Sequence, residues 1–530
     1  MKTRSLLLLL ILLNVATAWA ARFSFLLHRA LQPDGTAIEC FISGDEFFNW
    51  LHDANGYTII RASDGFLYWG AVSDGEVVPT AWRADRTNPA SLDLEKWAKI
   101  SLARYNERKA FYATHRGDSP LAPHEGTLNN LVVYIRFSDD TEFTMTRQAY
   151  DGRFNATTGK SLRSYHSEVS YNNLTISSTH YPDCPMTTNL SYRDVHNRGY
   201  FQPYNATTNP GGYANDTERT DREHTLLRDA IEWINVNSPV PAGLDIDGDS
   251  DGYADNVCFI IRGGNDAWAE LLWAHRWSLF SYDVFVNGKR VMDYTFQPET
   301  QVDVQTLCHE MFHALGAPDL YHYSSDGKAP VGDWDLMESG FGHMGAFMKW
   351  KYTNQTWINT IPEITTSGTY TLRPLSGPTG NCFRIASPWS TSQFFVVEYR
   401  KKEGTYENSL PGSGMLVYRI DESTTGNAGG PPDEVYLYRP GGTLSVNGTL
   451  TNAYFSAGSN RTRINDQTNP SSFLQNGSPG GLRIFGITAA DTTISFNVEI
   501  IHPDNPSSAT ATATGVSEIL VQWTSHPQYS

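Results

Sequence analysis

The sequence predicts a multidomain protein with a mixed α/β (α+β) centre between β-rich flanks. Three observations point there. The chain has 530 residues, and domains of roughly 100–200 residues make that three or four. Strand-like apolar runs alternate with helical patterns over about 126–358, the signature of an α/β or α+β domain. Beyond about 360, strand runs follow one another with Gly, Pro, Asn and Ser between them, which reads as an all-β sandwich to about 501.

Composition narrows the field. Hydrophobic residues make up 40% and charged residues 18%, enough apolar material to build cores and exclude wholesale disorder. The net charge is −17 and no long Lys/Arg run occurs, which argues against a nucleic-acid partner.

From the N-terminus, Lys2 and Arg4 precede an apolar run from Leu6 to Leu13, and Ala18-Trp19-Ala20 supplies small residues at the cleavage positions. Residues 1–20 are expected to be a secretory signal peptide, because the apolar run is too short to span a bilayer. No later stretch is apolar for long enough to make a transmembrane segment. Cys40, Cys184, Cys258, Cys308 and Cys382 are scattered and odd in number, so neither a disulfide scaffold nor a cysteine-ligated metal site is expected.

Residues 21–120 read as a separate segment. Turn signals at Pro33-Asp34-Gly35, Asp53 to Gly56 and Ser63-Asp64-Gly65 divide short strands. Asp93 to Thr114 has helical composition, and a Pro-containing linker runs from Gly117 to Glu125. In the centre, Leu131 to Phe137 and Asp255 to Ile261 are buried-strand patterns, while Ser161 to Ser170, Glu223 to Val236 and Val302 to Leu315 are helical. In the β-rich half, runs beginning at Gly368, Phe394, Gly414, Val435 and Ile494 are strands. The tail, 502–530, resembles the first two strands of a fibronectin type III-like module and reads as an incomplete one.

The chemistry concentrates in His309-Glu310-Met311-Phe312-His313, followed by Gly316, Pro318 and Asp319. Residues four apart share a helix face, so His309 and His313 can present two imidazoles to one zinc ion. Glu310 then lies where it can take a proton from water. Gly316 ends the helix, Pro318 prevents its continuation, and the chain turns back to bring Asp319 within reach. Two imidazoles and one carboxylate leave a position for water, whose pKa zinc lowers from 15.7 toward about 7. His322 is the competing third ligand. Met337, in a tight turn after the helix, resembles the Met-turn of metzincins, and that resemblance implies an apolar floor beneath the ligands.

A second cluster lies in the loop Asp245, Asp247, Asp249, Asp251 and Asp255. Crowded carboxylates repel without a cation, and Gly252 suits a sharp turn, so a structural calcium is expected. Cys258 replaces the twelfth-position Glu of an EF-hand, so that pattern is incomplete. The same loop spells G-x-S-x-G around Ser250. A nucleophile elbow needs a strand before it and a helix after it, whereas a buried strand follows here, so a serine hydrolase is rejected.

With these motifs in view, the chain resembles the immune inhibitor A-like family of secreted zinc metallopeptidases (metzincin-like, H-E-x-x-H-x-x-G-x-x-D). The likeness runs through 131–139, Ser164-Tyr165, Ser170-Tyr171, the acidic loop, Trp273 to Arg276, the zinc helix, Gly332 to Met337 and Glu398-Tyr399-Arg400. It implies a metzincin-like catalytic domain over 121–358, a pro-segment over 21–120 and a β-sandwich over 359–501. It also implies zinc held by His309, His313 and Asp319, Glu310 as catalytic base, protein or peptide substrates, and export. Typical metzincins carry a third His where this chain has Asp319. The rival reading is a non-catalytic adhesin or carbohydrate-binding protein whose β-rich half contacts a cell surface or matrix. The intact Glu310 separates the two, since a structural zinc site needs no base and normally fills its fourth position. For oxyanion stabilisation, Tyr321, Tyr323 and His275 stand as unranked candidates.

Overall fold

The computed structural model describes residues 23–45, 48–116, 121–264, 271–323, 327–501, 509–513 and 519–523. The signal-peptide stretch lies outside them. The protein is of mixed α/β class, with several separate sheets and few helices. It divides into two compact units, Met1–Gly316 and Ala317–Ser530.

Unit one begins with a six-stranded antiparallel meander: β1 (Phe23–Leu31), β2 (Ala37–Gly44), β3 (Asn49–His52), β4 (Thr58–Arg61), β5 (Leu67–Ser73) and β6 (Glu76–Arg83), paired in that order. The turn residues act as Asx turns. Asp34 Oδ1 accepts from Thr36 N–H, and Asp64 Oδ1 from Phe66 N–H, both at 3.0 Å. The meander's core includes Ile42, Leu51, Ile59, Leu67 and Trp69, and it is completed from outside by Trp273. Helix α1 spans Leu102–Arg116, so the helix expected from Asp93 starts nine residues late. Tertiary contact overrides propensity there. Trp97 adopts φ +60°, donates its N–H to Gly56 O at 2.6 Å, and lies where a side chain on Gly56 would clash with its ring.

The second sheet of unit one is built from β7 (Gly126–Arg136), β8 (Leu174–Tyr181), β9 (Tyr192–Arg193), β10 (Val257–Ile261), β11 (His275–Ser278) and β14 (Asp293–Pro298). Its order is β11-β14-β10-β7-β8, with β9 also on β7. β8, β7, β10 and β14 run parallel and β11 is antiparallel. Parallel central strands are covered on both faces, and all five residues of β10 are buried. The helices are α2 (Arg147–Asn155), α3 (Leu162–Val169), α4 (Asp216–Asn237) and α5 (Val304–Ala314). α3 and α4 start at the side-chain caps Ser161 and Asn215. Between β11 and β14, Asn287-Gly288, both at positive φ, turn the short hairpin β12 (Phe285–Val286) and β13 (Lys289–Arg290).

Unit two contains α6 (Ala346–Lys351) and strands β15 (Gly368–Leu372), β16 (Cys382–Ala386), β17 (Gln393–Arg400), β18 (Gly414–Asp421), β19 (Val435–Leu437), β20 (Ile484–Phe485) and β21 (Ile494–Val498). The antiparallel sheets β16-β17-β18-β19 and β15-β21-β20 share one core, which includes Leu372, Phe395, Val397, Val417 and Phe496. A separate hairpin, β22 (Ala509–Ala513) and β23 (Ile519–Trp523), falls where the two fibronectin-like strands were expected.

Candidate metal centre

Every residue of helix α5 from Gln305 to Ala314 is buried, polar ones included. Such a helix belongs inside a core. Asp303 caps it, accepting from the N–H groups of Gln305 and Thr306 at 3.0 and 3.1 Å. Gly316 ends it at φ +102°, and its N–H donates to His313 O at 2.9 Å. That is the left-handed stop the sequence called for. The C-terminal part of the expected linker covers the same end. Ala122 N–H donates to Ala314 O at 3.1 Å, and the His124 ring lies 2.8 Å from Leu315 O.

His309 and His313 project one turn apart, with ring centroids 4.6 Å apart and planes at 88°. The chain then turns at Gly316, and His309, His313 and Asp319 each offer one ligand atom, all within 4.8 Å of one another. Their exposures are 0%, 3% and 2%. Donors about 2.0–2.1 Å from a tetrahedral zinc lie roughly 3.3 Å apart, so the cluster needs only small adjustment. Glu310 is also buried, and its Oε1 has no hydrogen-bond partner among the described residues. Leaving a carboxylate oxygen so placed is costly unless a ligand or reactant meets it. Two imidazoles, a carboxylate and a buried acid beside them therefore fit a catalytic zinc.

The competing ligand His322 is engaged elsewhere, its Nε2 2.6 Å from Asp433 Oδ1. Met337 is fully buried in a turn held by Asp335, whose Oδ1 accepts the Met337 N–H at 2.9 Å and whose Oδ2 accepts from Gly345 N–H at 2.7 Å. Burial pushes the Asp335 carboxyl up to about 6. Of the oxyanion candidates, His275 has both ring nitrogens committed. Nδ1 lies 2.8 Å from Trp273 O and Nε2 2.9 Å from Glu223 Oε1. Burial lowers the pKa of the ring, but the Glu223 carboxylate outweighs it and the net shift is upward. The Tyr323 hydroxyl donates to Asp319 Oδ2. Tyr321 is buried, its ring 5.2 Å from that of Tyr323.

Of the five acidic-loop residues, Asp247, Asp249 and Asp255 bring oxygens within 4.8 Å of one another, whereas Asp245 and Asp251 are not part of that group. The loop already answers much of its own charge. Asp247 accepts from the N–H groups of Asp251 and Gly252 at 2.9 and 3.1 Å and pairs with Lys289. Asp255 is 7% exposed, and its Oδ2 has no hydrogen-bond partner among the described residues. Burial, with the neighbouring carboxylates, pushes it up to about 7. Gly252, at φ +95°, makes the sharp turn, and Ser250 sits in a turn at φ +64° that no helix follows. Lys289, 42 residues from Asp247, had no signal in the loop's sequence.

Comparison with known proteins bears on this region. No curated protein matches the chain. Among solved structures it is similar to metalloproteinase-II from Bacteroides fragilis, at 13% identity over 62% of this chain and 86% of that one, with a TM-score of 0.23, too low to carry a structural argument. Residues 249–354 match the immune inhibitor A peptidase M6 catalytic domain. That stretch holds part of the acidic loop, helix α5, Asp319 and Met337. The resemblance read from the sequence is thus shown over 249–354, and that match supports a metallopeptidase.

Proposed function

We propose that the protein is a secreted zinc-dependent endopeptidase made as a zymogen, with zinc held by His309, His313 and Asp319. The observation that carries this reading is the convergence of two imidazoles and a carboxylate beside the buried Glu310. Bound there, zinc supplies a Lewis acid that lowers the pKa of water toward about 7 and polarises a carbonyl. Glu310 takes the proton of the attacking water on its carboxylate and hands it to the leaving amine nitrogen. Each imidazole would hold the metal through the lone pair of one ring nitrogen, which requires the neutral ring. Burial keeps bulk water from competing.

Export is supported by the N-terminal Lys2/Arg4 and Leu6–Leu13 pattern, and no described helix is long and apolar enough to cross a membrane. In this reading the chain consists of a signal peptide (1–20), pro-segment (21–120), catalytic domain (121–358), β-sandwich (359–501) and fibronectin type III-like strands (502–530). The β-rich half is assigned to surface or matrix contact. A structural calcium in the acidic loop is a second proposal, supported by the buried, unpartnered Asp255 Oδ2.

The test is casein cleavage by protein starting near residue 120, beside Glu310→Ala, with bound zinc measured in both. Cleavage by the parent, and an inert variant that keeps its zinc, are expected. General-base catalysis contributes about 10²–10⁴-fold. A zinc-loaded parent that cleaves neither casein nor a broad peptide library would sink the endopeptidase reading and favour the adhesin.

A further inference from the structure

Asp319 is the first charged residue of unit two, and that unit holds it at several points. On its carboxylate, Oδ2 accepts from the Tyr323 hydroxyl, which fixes the rotation of the group. On its main chain, Asp319 O accepts from Asn427 N–H at 2.9 Å. The next residue is gripped from both sides. Leu320 O accepts from Asn427 Nδ2 at 3.0 Å, and Leu320 N–H donates to Met337 O at 2.8 Å. Tyr323 N–H donates to Ala428 O at 3.1 Å.

Asn427 is fully buried and uses its whole amide. Nδ2 also donates to Val435 O at 2.8 Å, and Oδ1 accepts from Val435 N–H at 3.1 Å. It therefore ties the edge strand β19 to the Asp319 arm. Gly426 precedes it at φ +62°, and a Cβ there would lie 2.6 Å from Pro318 Cβ. The loop before β19 thus approaches the arm as closely as a backbone can. A buried side chain that spends every polar group on two backbones fixes their relative position to tenths of an ångström.

We infer that Asn427 and Tyr323 are positioning residues for the third metal ligand, Asp319. This rests on the zinc reading above. It assigns the loop at 426–435 a role that a separate surface-binding module would not have.

The test uses the full chain with zinc alone as probe. Zinc dissociation constants come from chelator competition and thermal midpoints from calorimetry. The variants are Tyr323→Phe, Asn427→Ala, His313→Ala and Tyr438→Phe. Tyr438 is a control in the same unit, its hydroxyl bonded to Phe473 O. Loss of an outer-shell partner weakens metal binding about 10–100-fold, and that weakening is expected for Tyr323→Phe and Asn427→Ala. Tyr438→Phe should lower the midpoint and leave zinc affinity at the parent value. If Asn427→Ala does not fold, Tyr323→Phe, which removes one oxygen and no main-chain contact, decides alone. Parent-like zinc affinity in the positioning variants overturns the inference. When His313→Ala has meanwhile lost its zinc, the metal reading survives that result. A parent that binds no zinc removes both.

Discussion

The helix cluster and the acidic loop gather ligand atoms to the same closeness, within 4.8 Å, by opposite means. At the helix, two of the three donors are imidazole rings, all three are buried, and the carboxylate comes from beyond the helix stop at Gly316. In the loop every donor is an acid, Asp249 is exposed, and backbone N–H groups with Lys289 already answer the charge. The difference teaches that acid density is a poor guide to a metal site. Burial of mixed donors is a better one, because a cation offsets the desolvation of a buried carboxylate.

The sharpest way to break this comparison is to delete one donor. His309→Ala should abolish zinc retention and lower peptidase activity by about 10³-fold or more, since a metal contributes several kcal/mol at the transition state. Asp249→Ala should leave both within about twofold. Equal losses would erase the distinction.

A third buried charge cluster tests the argument from the other side, because it contains its own counter-charges. Arg400 donates from Nε to Glu407 Oε2 at 2.8 Å and from Nη1 to Glu398 Oε1 at 3.3 Å. It also donates to Trp334 O and His343 O at 2.7 and 2.8 Å. Arg400→Met leaves two buried carboxylates without their cation and should cost about 3–5 kcal/mol in denaturant unfolding, with no dependence on added metal.

A smaller effect is expected from Asp255. Its folded pKa, about 7, lies above the ordinary carboxylate value of about 3.9. The folded state therefore holds the extra proton between those values, and stability falls as pH rises from about 4 to about 7. In chelator, Asp255→Asn should flatten that slope and raise stability at pH 8 by a few kcal/mol at most. Calcium that binds the loop should flatten the slope in the parent as well. A slope unchanged by calcium would count against the second cation.

Much of this was legible where the signal is local. The helices around Ser161–Ser170 and Glu223–Val236, the buried strand before Ile261, the stop at Gly316 and the H-E-x-x-H pair all depend on neighbours within a few residues. What escaped depends on distant partners. Asn427 meets Leu320 across 107 residues, and nothing near Asn427 marks it. The start of α1 slipped from Asp93 to Leu102 because Trp97 is held by Gly56. The compact units part after Gly316, within the stretch expected as one catalytic domain. The Glu398-Tyr399-Arg400 motif is in turn explained by the loop it holds, which contains Met337.

The central claim is that the metal sits on His309, His313 and Asp319. Zinc K-edge X-ray absorption on the purified full chain tests it most directly. The account predicts two imidazole nitrogens and a carboxylate oxygen at about 2.0–2.2 Å with no sulfur. An oxygen-only shell would place the zinc in the acidic loop and contradict it.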